Sequence, residues 1–518
     1  MPETVFFDLS PERAADPREV DRAVAAKLGR RIDAGRYRVV RRSIDARMAR
    51  IRVRLGIQVY ADGETVASDR PVFGYRDIGN ATPVIVVGAG PAGIFAALRL
   101  LELGLKPVVI ERGKEVKPRR KDVAALNRRG ILNCESNYAF GEGGAGTFSD
   151  GKLYTRSKKR GDHGRVLHRF HQHGADKQIL LDAHPHIGSN RLPQIVSAMH
   201  ATIVSHGGEI HFSRKVTRLK IVDCRAVGVV LDDGRQVDGA AVILATGHSA
   251  GDVYRMLADQ GIAIEAKPFA MGVRVEHPQK LIDRIQYHGR ERGPFLPPAS
   301  YSLVRQIDGR GVYSFCMCPG GIVVPAATQQ QSVVVNGMSF AKRNSGYANA
   351  GIVVETRLED IPDMRNTVSL GGLDYQRTLE RIAFEHTGGQ MVAPAQRLVD
   401  FVVNRASSSL PACSHPPGVV ASPLHQWLPE PIRLRLQAGF KAFGSSMKGF
   451  FTNDAVVVGV ESRTSSPVRI PRDPQTLQHG SVTGLFPCGE GAGYAGGIVS
   501  CAVDGERVAV AVAGFLQD

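Results

Sequence analysis

Apolar and polar positions fall into distinct textures along the chain, and each predicts its own elements. In the first 80 residues, 5 to 9 read as extended. Val20, Ala23, Val24 and Leu28 mark one face of a helix over 19 to 28, and strands follow near 37 to 44 and 51 to 60. Arg50-Ile51-Arg52-Val53-Arg54-Leu55 alternates strictly, so that strand turns an arginine face to water and an apolar face inward. A polar, turn-rich stretch at 74 to 80 closes this small α+β unit. From Pro83 the texture becomes apolar run, glycine turn and apolar helix: a run at 84 to 87, a helix at 94 to 103, a run at 108 to 110. Short β runs separated by turns such as Asp232-Asp233-Gly234 occupy 201 to 244. Residues 255 to 480 mix β runs (332 to 336, 351 to 355) with helices (375 to 386, 432 to 443), and the chain closes with a run at 485 to 488 and a helix at 498 to 512.

The alternation predicts an α/β protein in four segments. Residues 1–80 form an N-terminal α+β domain, and 81–250 the first part of a Rossmann-type domain. An α+β substrate domain is inserted at 251–479, and 480–518 complete the Rossmann-type domain. With 518 residues and 43% hydrophobic content, disorder of the whole chain is excluded. Fifty-seven glycines, well above the usual ~7%, point to many tight turns or close backbone approaches. Of the net charge of +16, half lies in residues 30 to 54, where ten arginines face only Asp33 and Asp45. That face reads first as a solvated sheet surface and second as an RNA-binding surface, though no aromatics are interleaved for stacking. Seven scattered cysteines make no disulfide framework and suggest a reducing compartment. The N-terminus lacks a basic and apolar leader, and the uncharged stretch 85 to 98 is too short to span a membrane. A soluble cytoplasmic protein without a membrane partner is expected; substrate and oligomeric state stay open.

The spacing Gly-x-Gly-x-x-Gly occurs three times and takes its meaning from context. Gly88-Ala89-Gly90-Pro91-Ala92-Gly93 has a buried run before it, a helix after it and a second run ending at Glu111-Arg112. Gly88 permits the tight turn, Gly90 lets backbone meet a pyrophosphate at the helix N-terminus, and Gly93 lets helix and strand pack closely. Glu111, eighteen residues beyond Gly93, is placed to accept hydrogen bonds from an adenosine ribose. The second match, Gly141-Glu142-Gly143-Gly144-Ala145-Gly146, has neither strand before it nor helix after it. A bare loop followed by Ser149, Asp150 and Lys152 suits a flat or anionic ligand; a purely structural turn is the plainer alternative. The third, Gly491 to Gly496, leaves only 22 residues after it, too few for a further strand with a ribose acid. The helix start at Gly496-Gly497-Ile498 can instead aim its positive end at a ligand bound elsewhere. Ala245-Thr246-Gly247 ends an apolar run as a segment returning to the first site would.

This combination resembles the FAD domain of glutathione-reductase-like flavoproteins. More specifically, the chain resembles the bacterial and plastid NAD(FAD)-utilising dehydrogenases. The likeness runs through FGEGGAGTFSDGKL (140–153), HPHIG (184–188), SFCMCPGG (314–321), NGMS (336–339), GVESRTSSPVR (459–469), residues 485–504 and SIDAR (43–47). The resemblance implies FAD and a redox reaction, and no particular substrate. It implies that Gly88, Gly90, Pro91, Ala92 and Gly93 meet the pyrophosphate, that Glu111 and Arg112 serve the adenine-side ribose, and that Val216 offers a backbone contact to adenine. Ala245, Thr246 and Gly247 close the nucleotide side. Gly143, Gly144, Ala145, Gly146, Ser149, Asp150 and Lys152 lie along the flavin. Gly489 and Glu490 reach the ribitol, with Glu490 where many relatives carry Asp. Gly496, Gly497 and Ile498 present helix-end N–H groups to the pyrimidine edge.

Beyond the cofactor the sequence offers candidates only. Cys316 and Cys318, two apart in an apparent strand, read as packed core thiols before a redox pair, because a bond between them is strained. His163, His168, His171, His173, His184 and His186 complete no zinc spacing, so no metal is expected. His184-Pro185-His186 reads as a loop before a helix starting at 188–189. Lys152, Arg463 and Glu461, from loops near the ring, are candidates for substrate charge pairing, with structural ion pairs as the alternative. No second complete nucleotide fold exists, so NAD(P)H would dock transiently. The sequence thus predicts an FAD-dependent oxidoreductase acting by hydride transfer. A flavin-dependent RNA-modifying enzyme and a non-catalytic redox-sensing flavoprotein are the rivals.

Overall fold

The computed structural model describes residues 3–30, 36–61, 64, 73–154, 161–362 and 369–517. Arg31 and Asp33 of the basic stretch lie outside the described residues. The N-terminal unit is a three-stranded antiparallel sheet with Arg52–Val59 between Glu3–Leu9 and Tyr37–Asp45. Helix Pro17–Leu28 is started by the Asp16 side chain, which accepts from the Arg18 N–H, and is closed by left-handed Gly29. Val20 and Val24 pack from it onto Val53, Leu55 and Ile57. Arg52 and Arg54 stand in water between these buried neighbours, as strict alternation dictates.

The second unit is built on a five-stranded parallel sheet in the order Leu485–Pro487, Ala241–Leu244, Pro83–Val87, Lys106–Ile110, Glu209–His211. All but the edge strand Glu209–His211 are apolar on both faces, because both faces are covered. On one side helices Pro91–Glu102 and Ile498–Phe515 lie against each other. On the other sit the antiparallel strands Val216–Val222, Arg225–Leu231 and Gln236–Asp238, together with helix Gly251–Asp259. Val253, Tyr254 and Leu257 anchor that helix in the core with Ile85 and Val242, so the chain leaves this unit after residue 250 and not at it.

The third unit is a seven-stranded sheet in the order Val304–Ile307, Arg310–Pro319, Tyr347–Thr356, Phe269–Pro278, Val456–Glu461, Ala393–Arg397, Val419–Ala421. Helix Glu430–Ser446 seats Leu436, Phe440 and Phe443 in its core. A hairpin of Gly321–Pro325 with Val335–Ser339 projects from the sheet. Among the described residues no helix is long and apolar enough to cross a membrane.

Several local expectations shift. The first Rossmann-type helix begins at Pro91, three residues early, because proline's fixed φ suits a first helical turn. Residues 201–205 are helical and not β: Ile195, Val196, Met199 and Ile203 keep helical spacing through Leu192–Ser205, so the first β run starts at Glu209. The same helix starts at Leu192 and not at 188–189. Of 332–336 only the end is strand, since the Val333 N–H bonds out of register to the Glu380 carbonyl at 3.0 Å.

The two long helices touch through glycine. A Cβ on Gly505 would lie 2.1 Å from the Ala92 carbonyl oxygen, and backbone cannot yield as a side chain does. Gly505→Ala should therefore destabilise the fold by about 1–3 kcal/mol, outweighing the ~1 kcal/mol that alanine gains in helix propensity. A lower urea midpoint for the variant is the expected result.

Candidate functional site

The parallel strands Pro83–Val87 and Lys106–Ile110 end side by side, so the turn at 88–90 and the residues after Ile110 meet at one sheet edge. Glu111 is buried there, and its carboxylate accepts three backbone N–H groups: Ala89 at 2.8 Å, Gly113 at 2.9 Å and Gly141 at 2.9 Å. One side chain thus ties the first glycine turn, the strand end and the second glycine motif together. The turns touch backbone to backbone. The Gly143 N–H donates to the Ala89 carbonyl at 2.8 Å, and a Cβ on Gly144 would stand 2.9 Å from the Gly90 Cα.

Arg119 completes this junction from helix Val116–Arg129. It is fully buried and donates to the carbonyls of Asn137, Tyr138, Glu142 and Gly144 at 2.8–3.0 Å. Burial pulls its pKa down to about 10, against the pull of Glu111 and Glu142, so it stays charged at neutral pH. Sequence reasoning missed it, because the helix carries six lysines and arginines and nothing in the pattern separates the buried one. Glu142 is held in turn by the Val116 N–H at 2.6 Å and by His200 at 2.9 Å.

These segments form one wall of a long cleft. Gly88, Gly90, Pro91, Ala92, Glu111, Arg112, Val216 and the 245–247 turn line its first part; Gly144, Ala145, Gly146, Ser149, Asp150 and Lys152 continue it. Glu490, Gly496, Gly497, Ile498 and Arg463 line it as well. Gly93, Gly143 and Gly489 stay behind the lining. A Cβ on Gly93 would meet the Gly88 carbonyl at 1.9 Å, on Gly143 the Thr147 hydroxyl at 1.9 Å, and on Gly489 the Ala92 Cβ at 2.8 Å. Arg112 is paired with Glu135 and Asp252 at 2.6 and 2.9 Å and stacks 4.2 Å over Phe140. Asp504, missed from the sequence, fixes the turn before Glu490 by accepting the Gly489 N–H at 2.8 Å while paired with Arg472.

Bare backbone faces open space in this cleft. A Cβ on Gly90 would meet only the Gly144 Cα, at 4.0 Å, and one on Gly247 or Gly496 would meet nothing within 4 Å. Helices Pro91–Glu102 and Ile498–Phe515 both start on glycine with no capping side chain, so their first N–H groups are left to a ligand. An FAD, with a pyrophosphate for the first helix and an electron-rich ring edge for the second, fits this donor set.

The far end of the cleft abuts the large sheet, where Phe315, Cys316, Cys318, Asn336 and Gly337 line it. Strand Arg310–Pro319 bulges between Phe315 and Cys318, and Cys316 takes a left-handed φ of 43°. The two thiols are therefore not the regular same-face pair expected from i, i+2 spacing; Cys318 is buried as a packed thiol, and Cys316 is not. Cys316 opens into the cleft, and Cys318 donates to the Cys316 carbonyl at 3.2 Å. Burial pushes the Cys316 thiol up to about 12 and raises Cys318 as well, so both are neutral thiols. Glu461 must be dropped as a substrate partner. It is buried in a pair with Arg274 at 2.8 Å and does not reach the cleft. Arg463 lines the cleft, with Nε and Nη2 donating to Glu380 at 2.8 and 2.6 Å and Nη1 to Thr328 at 2.6 Å. Among the described residues no His, Cys, Asp or Glu cluster could hold a metal ion. His186, with a pKa held at about 4 by burial and then by Arg343, is neutral at pH 7.

Two variants probe the junction. Arg119→Met leaves four carbonyls without their donor, and the protein should lose most of its flavin absorbance per mole on gel filtration while far-UV dichroism stays near native. His200 has a raised pKa because of its bond to Glu142, opposed by burial. Its contribution to stability is full below the unfolded value of about 6.5 and is lost as pH rises through the folded one. The wild-type unfolding midpoint should fall over that interval, and His200→Gln should flatten the fall.

Comparison with known proteins agrees with the cofactor. The family models that match are an FAD binding domain over residues 81–133, a flavin containing amine oxidoreductase over 138–266 and an FAD-dependent protein C-terminal domain over 268–464. A domain of unknown function matches residues 1–60. A Clostridium beijerinckii protein described only as uncharacterized is 40% identical over 498 residues, 92% of either chain. Among solved structures, CtdE in complex with FAD is 11% identical with a TM-score of 0.32, covering 85% of this chain and 88% of its own. The flavin-dependent brominase Bmp2 is 14% identical with a TM-score of 0.36, covering 84% and 79%. A geranylgeranyl bacteriochlorophyll reductase-like protein of Thermoplasma acidophilum is 14% identical with a TM-score of 0.34, also covering 84% and 79%. The chain belongs to the same family as the clostridial protein, a family of FAD-binding flavoprotein oxidoreductases.

Proposed function

We propose that the protein is an FAD-dependent dehydrogenase that exchanges a hydride with a small substrate bound against the large sheet. The observation that carries this reading is the pair of uncapped helix N-termini opening on one cleft, which continues past them to a second wall of polar side chains. FAD supplies the hydride chemistry when bound; the chain supplies position, polarity and exclusion of water. Gly88 to Ala92 and the start of helix Pro91–Glu102 would hold the pyrophosphate, and Glu111 keeps those segments in register. The N-terminus of helix Ile498–Phe515 would stabilise negative charge on the ring side. Lys152, Cys316, Asn336 and Arg463 would face the substrate.

The described residues carry a single glycine-turn nucleotide fold with its own ribose-side acid, so a nicotinamide donor would visit the open cleft and leave again. Anaerobic titration of the FAD-loaded protein with NADH, and separately with NADPH, should bleach the visible flavin band within turnover times. A band that neither donor bleaches overturns the nicotinamide link. A band that also resists alcohols, amines and hydroxy acids overturns the dehydrogenase reading in favour of a non-catalytic flavoprotein.

A further inference from the structure

The charges at the substrate end of the cleft do not cancel. Asp150 is buried and accepts from Ser339; Arg343 reaches it at 2.8 Å and Lys152 at 3.3 Å. Two cations therefore share one carboxylate, and among the described residues Asp150 is the one acid in ion-pair contact with either. Nearby pairs are complete: Arg274 with Glu461, and Arg463 with Glu380. Glu490, the remaining cleft carboxylate besides Glu111, faces His248 at 3.3 Å. The other groups around Lys152 are uncharged at neutral pH, namely the two thiols and His186. Residues 155–160, which follow in sequence, contain no acid and add Arg156, Lys158, Lys159 and Arg160.

Lys152 is placed to use the surplus. It lines the cleft, and 36% of its side chain is exposed. Its ammonium stands 3.6 Å from the Cys318 sulfur, beside Cys316 and Phe315. Burial disfavours its charge, and the Asp150 carboxylate beside it favours that charge. Burial likewise opposes ionised Asp150, and Lys152 and Arg343 overcome it, leaving that carboxyl well below its usual range. Lys152, Arg343 and Asp150 together thus carry one positive charge more than they neutralise, at a site only partly open to water, where an incoming anion is favoured.

We propose that Lys152 binds the carboxylate of a substrate whose apolar body lies against Phe315, Cys316 and Ile498. A compact ammonium beside an apolar surface suits a carboxylate carried on an apolar body. The assignment rests on the FAD reading above and gives its substrate a chemical class.

Sodium benzoate is the probe, titrated into the FAD-loaded protein at constant ionic strength and pH 8. Binding is followed by the shift of the flavin band and, independently, by calorimetric heat. Saturable binding is expected in the wild type, at least tenfold weaker in Lys152→Met and largely kept in Lys152→Arg. Asp150→Asn, which removes the one neutralising charge, should bind at least as tightly as wild type, a response opposite in sign to general damage. If Lys152→Met does not fold, Lys152→Gln carries the same expectation. Equal binding by wild type and Lys152→Met, weaker binding in Asp150→Asn, or no binding to wild type that holds its FAD overturns the anion site. Inorganic phosphate binding more tightly than benzoate overturns the carboxylate assignment. A wild type that retains no FAD overturns instead the reading on which the proposal rests.

Discussion

The Glu111 carboxylate is the constraint on which the rest of the site depends. A strand end, a glycine turn and a loop thirty residues further on have no shared secondary structure to align them, yet all three donate an N–H to this one side chain. A buried carboxylate without partners would be expensive, and three backbone donors compensate it while satisfying amides that would otherwise be orphaned. Arg119 is the complementary device, a cation spread over four carbonyls of the same junction. Together they turn flexible glycine backbone into a rigid lining, so that bare N–H groups can face a ligand without the loop collapsing onto itself.

That rigidity explains why glycine is used in two opposite ways within a few residues. At Gly93, Gly144 and Gly505 the missing side chain lets protein backbone approach protein backbone. At Gly90, Gly247 and Gly496 the missing side chain leaves room on the cleft side. The first set builds the wall and the second set is the wall's working surface. The uncapped starts of helices Pro91–Glu102 and Ile498–Phe515 belong to the second set, since a capping serine or aspartate would satisfy the very donors a ligand needs.

The sequence made the glycine cleft legible because its parts are local. A buried run, a spaced glycine turn and an apolar helix each announce themselves within a dozen residues, and the parallel sheet follows from their repetition. The large sheet was legible only as a mixture of runs, since its order joins strand Phe269–Pro278 to partners about eighty and one hundred and eighty residues away. The side chains that matter most for electrostatics were the least visible. Arg119 looks like its solvated neighbours in a basic helix, and Arg343 meets Asp150 across 193 positions of sequence. Glu461 and Arg463 sit two residues apart in one motif, but the strand pleat and the turn after it send one into the Arg274 pair and the other to the cleft. Spacing alone cannot distinguish those fates, because each partner comes from a different strand or helix.

The Cys316 bulge shows how the large sheet serves the cleft without being made of glycine turns. A regular strand would keep i and i+2 on one face and present a flat, closed surface. The register shift between Phe315 and Cys318 instead rotates Cys316 outward and folds Cys318 back onto its carbonyl. The Cys316 carbonyl is held in turn by Arg274 at 3.4 Å, whose charge is neutralised by Glu461 and whose remaining donors reach Asn336 and Asn349. A fully buried, charge-balanced arginine therefore shapes the floor, while the charge-unbalanced Lys152 stands at its surface. The division separates what must be rigid from what must be available: neutralised pairs fix the backbone of the wall, and the surplus charge is left where a substrate can reach it.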